Sequence, residues 1–323
     1  MRPDIWRFPP PLLAQSNPNQ PMRRRFFLTA NPGAGITGSP LLDAVAHALL
    51  RAGAELTLTQ PGSIATVREQ VREAAASARY DAILAAGGDG TIRQVASELM
   101  GTATPLGIVP VGTGNVLAHE IGVVAEARAI TDMLLNGPLI QAVCARANDE
   151  PFLLMAGAGF DGRVIAALDH RLKSHVGKAA YAGPMLGALA HRVDTLTVSV
   201  DGVTREASWA VISNVQHYGG NFVMSRRTGI RERGLQAILF KAKNRTVLLG
   251  QLMALAMGTL DERSASHGDV EMLPCLKATV TAHKPVPTQI DGDAFGSTPL
   301  VIEAGSADLS LIVPERPVLA LAH

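Results

Sequence analysis

The sequence predicts two domains, an α/β domain built on a parallel sheet followed by a β-rich domain. In the first part of the chain, short apolar runs alternate with amphipathic helical segments, the pattern of a parallel sheet with helices on both faces. After Ile140 short strands dominate, and TLTVSV turns through Asp201-Gly202 into a second strand, as in a β-hairpin. The predicted segments are a flexible, Pro-rich tail at 1–22, the α/β domain at 23–143, the β-rich domain at 144–313 and a tail at 314–323.

The elements of the α/β domain follow in order. The strand FFLTA precedes the helix LLDAVAHALLRAG, which Ser39 caps, Pro40 opens and Gly53 ends. The next segments alternate strand and helix: ELTLT, ATVREQVREAAASARY, DAILAA, TIRQVASELM and LGIVP. In the β-rich domain, the strands predicted after the hairpin include LQAILF, LKATVTA, PTQIDGDAF and LVIEAG.

The composition describes a folded protein without a strong electrostatic field of either sign. Of its 323 residues 47% are hydrophobic and 18% are charged, and the formal net charge is +1. With that charge we expect no nucleic-acid partner, and any contact with a membrane must be local. Cys144 and Cys275 lie in apolar, strand-like contexts, so we predict two core thiols in a reducing compartment.

No apolar run is long enough to predict a membrane-spanning helix. The best candidate, TVLLGQLMALAMGTL, is interrupted by Gly250, Gln251 and Gly258, and we interpret it as a core or groove helix. The N-terminal segment lacks the uninterrupted apolar region of a signal peptide. We therefore expect a cytoplasmic protein, and peripheral contact with the inner face of the membrane stays open.

The segment DAILAAGGDGT indicates an anion site. A buried strand breaks at Gly87-Gly88 into a helix, so backbone amides and the helix dipole favour a phosphate there. A carboxylate beside a phosphate repels it unless a cation lies between them, so Asp89 points to Mg²⁺ with a nucleotide. The alternative is that Asp89 only caps the helix.

Two further junctions have the same form. LGIVP is followed by a glycine-rich turn with Thr113 and Asn115, and FFLTA is followed by Asn31 and Gly33. Because the carboxyl ends of parallel strands meet at one edge of the sheet, the three loops are expected to gather where open α/β sheets bind ligands.

Five short motifs occur in order from roughly Arg24 to Val313. They are N-P-x-x-G at 31–35, G-G-D-G-T at 87–91, P-x-G-T-x-N at 110–115, G-F-D at 159–161 and D-G-D at 291–293. This set resembles the diacylglycerol kinase catalytic-domain family, which includes bacterial lipid kinases, sphingosine kinases and ceramide kinases. G-G-D-G-T alone is shared with NAD kinases, whereas P-x-G-T-x-N and the late D-G-acid motif favour the lipid kinases.

The resemblance implies an ATP- and Mg²⁺-dependent kinase that phosphorylates a hydroxyl of a membrane lipid, either diacylglycerol-like or sphingoid-like. It also implies that the β-rich domain is an antiparallel sandwich and that the active site lies in the cleft between the domains. Asp89 would act on Mg²⁺ through Mg-ATP, and Asp293 stands where the family has its general-base glutamate. Asp161 is the third catalytic candidate, with a helix cap as its alternative role. The predicted nucleotide-binding residues are Asn31, Thr59, Gly87, Gly88, Asp89, Gly90, Thr91, Thr113 and Asn115.

Two departures from the family pattern affect the expected activity. The last motif is usually D-G-E, and the aspartate at 293 reaches one methylene less, about 1.5 Å. The segment RERGLQAILF aligns with a stretch that helps many bacterial members hold a structural Mg²⁺, and Arg233 replaces a metal-binding aspartate there. We therefore expect the structural magnesium site to be absent, with the guanidinium pairing with an acid in its place.

Other interpretations stay open at this point. One is an NAD-kinase-like enzyme with a soluble acceptor, and another is a catalytically weak nucleotide- or lipid-binding homologue. A homodimer is also open. The arginines at 226, 227, 231 and 233 either face anionic lipid headgroups or form a solvated surface.

Overall fold

The computed structural model describes residues 22–30, 39–168, 177–305 and 307–315. Contacts divide these into two units, one of residues 22–142 and 307–315 and one of residues 143–305. The predicted tails lie almost entirely outside the described residues.

The first unit contains strands and helices that alternate along most of its length. Its strands are β1 (Arg25–Ala30), β2 (Glu55–Thr59), β3 (Ala82–Gly87), β4 (Leu106–Pro110), β5 (Leu139–Val143) and β20 (Ala307–Ile312). Its helices are α1 (Pro40–Arg51), α2 (Ile64–Ala76), α3 (Asp89–Leu99), α4 (Val116–Glu120) and α5 (Ala127–Asn136). The sheet has the order β2-β1-β3-β4-β20-β5, and β1 to β4 pair in parallel, which confirms the predicted α/β domain.

The first helix shows how local sequence sets these elements. The Ser39 side chain accepts a hydrogen bond from the Leu42 amide, and Pro40 occupies the first turn, where no amide is needed. Val45 and Leu49, one turn apart, are buried, and Gly53 leaves the helix at a φ of 77°. All three predicted boundary signals are found.

The last strand differs from the sequence-based division. The sequence pattern predicts that residues 307–312 belong to the β-rich domain, but β20 pairs in parallel with β4 in the first sheet, through Leu311 and Leu106. Leu309, Leu311 and Ile312 are fully buried there. An apolar strand at the end of a chain specifies burial but not which sheet it joins, so the sequence pattern could not place it.

The second unit is built mainly of antiparallel strands. In chain order its strands are β6 (Ala145–Ala147), β7 (Glu150–Phe152), β8 (Met155–Ala158), β9 (Leu196–Val200), β10 (Val203–Ala207), β11 (Trp209–Ser213), β12 (His217–Tyr218), β13 (Phe222–Val223), β14 (Leu235–Phe240), β15 (Val270–Cys275), β16 (Lys277–Ala282), β17 (Pro287–Ile290), β18 (Asp293–Ser297) and β19 (Leu300–Glu303). Its helices are α6 (Phe160–Ala166), α7 (Ala182–Ala190), α8 (Arg245–Ala256) and α9 (Leu260–His267), with a 3-10 turn at Gly177–Tyr181.

Twelve of these strands form two six-stranded sheets, β10-β9-β16-β19-β6-β7 and β15-β14-β11-β8-β17-β18, and β12 and β13 pair with each other. One hydrophobic core draws buried residues from both sheets, such as Val198 and Ile302 from the first and Ile212 and Leu239 from the second. Face-to-face burial of this kind defines a β-sandwich. The predicted antiparallel sandwich is therefore confirmed, as is the hairpin at Asp201-Gly202, where Val200 pairs with Val203.

Both cysteines are buried, as predicted for core thiols. Burial raises the pKa of the Cys275 thiol to about 12, so that thiol stays protonated and inert. Within the described ranges, no helix has both the length and the apolar character needed to cross a bilayer.

Candidate active site

Strand ends bring the predicted loops of the first unit together. Ala30, at the end of β1, lies one residue past Thr29, which pairs with both Thr59 and Ala85. Gly87, the last residue of β3, pairs with Pro110, the last residue of β4. The G-G-D-G-T and P-x-G-T-x-N loops therefore leave the same edge of the sheet from neighbouring strands. Asn31 and the rest of the N-P-x-x-G motif lie outside the described residues.

The glycines of the two loops allow them to pack against each other. A Cβ added to Gly112 would lie 2.3 Å from the Gly88 Cα, and one added to Gly87 would lie 2.5 Å from the Thr91 Cβ. Neither position can carry a side chain without a shift of the backbone. The sequence predicts that these glycines let a phosphate approach the backbone, and the structure adds a packing reason that is independent of any ligand.

Asp89 ties the two loops together. Its Oδ2 accepts a hydrogen bond from the Val116 amide at 3.0 Å, and its Oδ1 accepts one from the Leu117 amide at 3.1 Å. Its own helix, α3, begins after Gly88 without a side-chain cap. The alternative that Asp89 caps its own helix, α3, is therefore wrong. Its carboxylate instead caps α4, which begins 27 residues later.

Asn115 shapes the second loop from inside. It adopts a left-handed conformation with φ 49° and ψ 44°, and its Nδ2 donates to the Gly112 carbonyl at 2.8 Å. Its Oδ1 is buried, and no donor among the described residues reaches it. Thr113, between these two residues, is half-buried. The Asn115 side chain thus holds the loop in the conformation that presents the α4 amides to Asp89.

The remaining nucleotide candidates of the first unit lie around the same edge. The Thr59 hydroxyl donates to Gln70 Oε1 of α2 at 2.6 Å, which occupies its hydrogen atom. Thr91 is buried against Gly87, and Gly90 lies half-buried in the first turn of α3.

Asp161 of the second unit is a buried residue. Its side chain stands in the first turn of α6 and is 2% exposed, and it accepts hydrogen bonds from the Gly162 amide at 2.7 Å and from Gln289 Nε2 at 2.9 Å. Burial raises the pKa of Asp161 to about 6, although the hydrogen bonds from Gln289 and Gly162 oppose the rise. A Cβ on Gly157 would lie 2.2 Å from its Oδ2, so the carboxylate rests directly on that glycine.

Asp291 and Gly292 form the turn between β17 and β18. Their φ angles are 49° and 82°, the two positive values that a tight hairpin turn needs. The Asp291 carboxylate is 5% exposed and accepts three backbone hydrogen bonds at 2.8–3.0 Å. The donors are the amides of Leu153, Leu154 and Met155. The first acid of D-G-D therefore fixes the chain that leads into β8.

Asp293 follows this turn as the first residue of β18, and its side chain is half-buried. It pairs with Ile290 across the hairpin. The anchored Asp291 and the pairing with strand β17 thus set the position of Asp293.

Gln289, which is not among the predicted site residues, links the buried acid to the turn. Its Nε2 donates to Asp161, and its Oε1 accepts from the Gly292 amide at 2.9 Å. The structure therefore brings Asp161 and the D-G-D motif into one hydrogen-bonded network. The available signal was a glutamine two residues before Asp291 in a predicted strand, because an amide buried without partners is costly.

The segment that aligns with the family's structural metal site carries an exposed Arg233 beside a half-buried Glu232. Among the described residues, none forms an ion pair with Arg233, so the expected pairing with an acid is not found. Over those same ranges, no group of three or more His, Cys, Asp or Glu side chains is arranged to hold a metal ion.

Two family models match the chain. Residues 25–147 match the diacylglycerol kinase catalytic domain, and residues 155–313 match the YegS C-terminal domain, described as NAD kinase β-sandwich-like. The two matches meet near the boundary between the units and together cover most of the sequence.

Several known proteins are similar to this chain. A Mycobacterium tuberculosis protein named diacylglycerol kinase is 27% identical over 75% of this chain and 80% of its own length. An uncharacterised Synechocystis protein is 29% identical over 72% of this chain, which spans 54% of that relative's length. A solved structure of a diacylglycerol kinase from Bacillus anthracis aligns with a TM-score of 0.72 at 19% identity, covering 91% of this chain and 98% of that one. That last likeness supports the fold.

Proposed function

Because the chain belongs to the diacylglycerol kinase catalytic-domain family, we propose that it transfers the γ-phosphate of ATP to a hydroxyl group of a membrane lipid. The observation that carries the proposal is the Asp89 link, which fastens two glycine loops at the ligand-binding edge of a parallel sheet. The proposed acceptor is either a diacylglycerol-like or a sphingoid-like lipid.

The first unit supplies the nucleotide side. The first amides of a helix have no acceptor within it, and the eleven-residue α3 begins in the G-G-D-G-T loop. Phosphate oxygens match those amides, and the helix dipole favours their charge. In the proposal Gly88, Gly90, Thr91 and Thr113 lie along the phosphates, and Thr59 and Asn31 also contribute to nucleotide binding.

Asp89 can serve Mg²⁺ while it caps α4. A carboxylate offers about four acceptor positions, and each Asp89 oxygen accepts a hydrogen bond from an amide of α4. Protein-bound Mg²⁺ keeps several waters and takes only one or two carboxylates, so one such group fits it. When bound with ATP, Mg²⁺ neutralises phosphate charge. In the proposal Asp89 orients that ion directly or through water.

The second unit supplies the base. Asp293 would accept the proton of the lipid hydroxyl as its oxygen bonds to the γ-phosphorus, while the bond from phosphorus to the ADP oxygen breaks. Hydrogen bonds of Asp291 and Gln289 hold the turn, so Asp293 lies on a hairpin of fixed conformation. We assign Asp161 to positioning through Gln289, because its buried carboxylate contacts the hairpin rather than solvent.

The proposal places the enzyme in the cytoplasm, at the inner face of the membrane, where ATP and lipid are both present. The NAD-kinase-like alternative predicts a water-soluble phosphorylated product. The shorter base at 293 and the arginine at 233 favour the second alternative, a binding protein with weak catalysis.

Transfer of label from the γ-phosphate of ATP separates these functions. Incubation of the full chain with Mg²⁺ and detergent-dispersed bacterial lipids is expected to move label into the organic phase. The Asp89→Ala variant should abolish this transfer, whereas Ile64→Gln, an exposed substitution elsewhere in the first unit, should not. Label only in an aqueous product supports a soluble acceptor, and no transfer with retained ATP binding supports the binding protein.

A further inference from the structure

One helix of the second unit has no buried residue. All nine residues of α7, AGPMLGALA, are apolar or glycine, and none is buried. Leu186 is 68% exposed and Met185 is also exposed. An exposed helix of a globular protein is expected to carry charged and polar residues on its open face. The sequence of α7 instead fits an apolar environment.

The neighbouring helix α8 repeats this feature on one face. Leu248 and Leu255 are buried, but Leu249, Met253 and Met257 lie one turn apart along the opposite side and are 48%, 54% and 66% exposed. The sequence predicts a core or groove helix here, and the structure buries only one side of it. Apolar residues all round a helix indicate two partners, one of which is the protein itself.

The two helices that expose these side chains are neighbours. Helix α7 packs against α8, and the Arg245 guanidinium at the start of α8 donates to the carbonyls of Ala190 and His191 at the end of α7. Strand β13 also packs on α8 and exposes Phe222. We define the α7–α8 face as Met185, Leu186, Phe222, Leu249, Met253 and Met257.

Cations border this face, and acids are absent from the segments that form it. Arg192, Lys243 and Arg245 are exposed next to the two helices. The sequence contains no Asp or Glu at 182–192 or at 241–258, although the whole chain has nearly equal numbers of acids and bases. A second copy seated on this face by twofold symmetry would bring these cations toward each other. Anionic headgroups complement them.

We propose that the α7–α8 face docks on the surface of a bilayer that contains anionic lipids. The aliphatic side chains would enter the boundary between headgroups and acyl chains, and the three cations would lie at the headgroups. This inference deepens the proposed function, because it rests on a membrane lipid being the acceptor, and it assigns the surface that delivers the enzyme to that lipid.

Vesicle cosedimentation of the full chain without ATP tests the docking separately from catalysis. On vesicles with one third phosphatidylglycerol, the Leu249→Gln/Met253→Gln variant should bind about tenfold or more weakly than the unaltered chain. Lys243→Gln should weaken binding about fivefold on these vesicles and little on neutral phosphatidylcholine. Ile64→Gln is the matched control, because Ile64 is helical and 54% exposed, as Met253 is, and should bind normally.

Two further measurements complete the test, namely phosphate transfer in detergent and the oligomeric state of each chain. Transfer to a detergent-dispersed acceptor should be equal in the unaltered chain and the variants, because detergent delivers the lipid without a bilayer. If no chain transfers phosphate in detergent, the proposed function fails, while loss of vesicle binding in the variants still supports the docking surface. Equal vesicle binding by all chains overturns the docking surface, as does a homodimer that the same substitutions dissociate while vesicle binding persists.

Discussion

Two hairpins of the second unit use the same turn, and only one of them carries the candidate chemistry. Asp201-Gly202 joins β9 to β10, and Asp291-Gly292 joins β17 to β18, with aspartate φ angles of 48° and 49°. Each aspartate accepts hydrogen bonds from the amides of a neighbouring segment, those of Leu276 and Lys277 in the first case. The Asp-Gly pair is therefore a structural device for turning a strand and anchoring it.

The hairpins differ in what surrounds that device. The residue after Asp291-Gly292 is Asp293, whereas the residue after Asp201-Gly202 is the exposed Val203. Asp291 is buried, and Gln289 connects its turn to Asp161, while Asp201 is exposed. Within D-G-D, the first acid belongs to the fold, and we propose that the second carries the chemistry.

Removing the anchoring aspartate should produce the largest difference in stability between the two hairpins. Asp291→Ala leaves three amides without their acceptor in a buried place, so we expect the free energy of unfolding to fall by roughly 3–5 kcal/mol. Asp201→Ala is the matched control and should cost only about 1 kcal/mol, because water replaces an exposed acceptor. Urea unfolding of both variants measures this. Equal losses would show that burial does not distinguish the turns.

The buried acid of the functional hairpin should make stability depend on pH. The pKa of Asp161 rises from 3.8 to about 6 in the folded protein, so the folded state holds this proton more tightly than the unfolded state. Stability is then greatest below pH 4 with respect to this group and falls by about 3 kcal/mol in total as the pH rises through 6. Asp161→Asn should remove this fall from the difference between the two unfolding curves. A variant that follows the pH dependence of the unaltered chain would mean that Asp161 titrates normally.

The first unit offers a comparison of two glycines. Gly112→Ala forces a Cβ against the Gly88 backbone and should destabilise the fold by roughly 1–3 kcal/mol and weaken ATP binding. Gly62 has open space at the Cβ position, so Gly62→Ala should be neutral or slightly stabilising. Thermal unfolding and ATP titration measure both effects. An unaffected Gly112→Ala chain would show that the loops do not need their close approach.

Replacing the linking amide should have the smallest effect. Gln289→Met keeps the length of the side chain but removes both of its hydrogen bonds, so Asp293 loses one of the supports of its turn. We expect turnover to fall about tenfold, or about 1.4 kcal/mol, with unchanged affinity for ATP. A change in ATP affinity without a change in turnover would argue against a positioning role.

The sequence predicted the structural elements that are determined by residues close together in the chain. Alternating apolar runs, the Ser39-Pro40 helix start and the Asp201-Gly202 turn each predicted their element, because neighbouring residues decide those structures. Contacts between distant residues were not predictable. Asp89 caps a helix 27 residues away, Gln289 meets Asp161 across 128 residues, and β20 joins a sheet whose other strands lie far earlier. Nothing in the local pattern encodes these partners.

The turnover of Asp293→Asn, measured beside its ATP affinity and stability, tests the division within D-G-D most directly. If Asp293 is the general base, turnover with a lipid acceptor should fall by roughly 10²–10⁴, with ATP affinity and unfolding free energy nearly unchanged. Asp293→Glu should retain turnover, since it restores the carboxylate and lengthens its reach. Unchanged turnover in Asp293→Asn, or a loss explained by unfolding, would contradict the assignment of chemistry to the second acid.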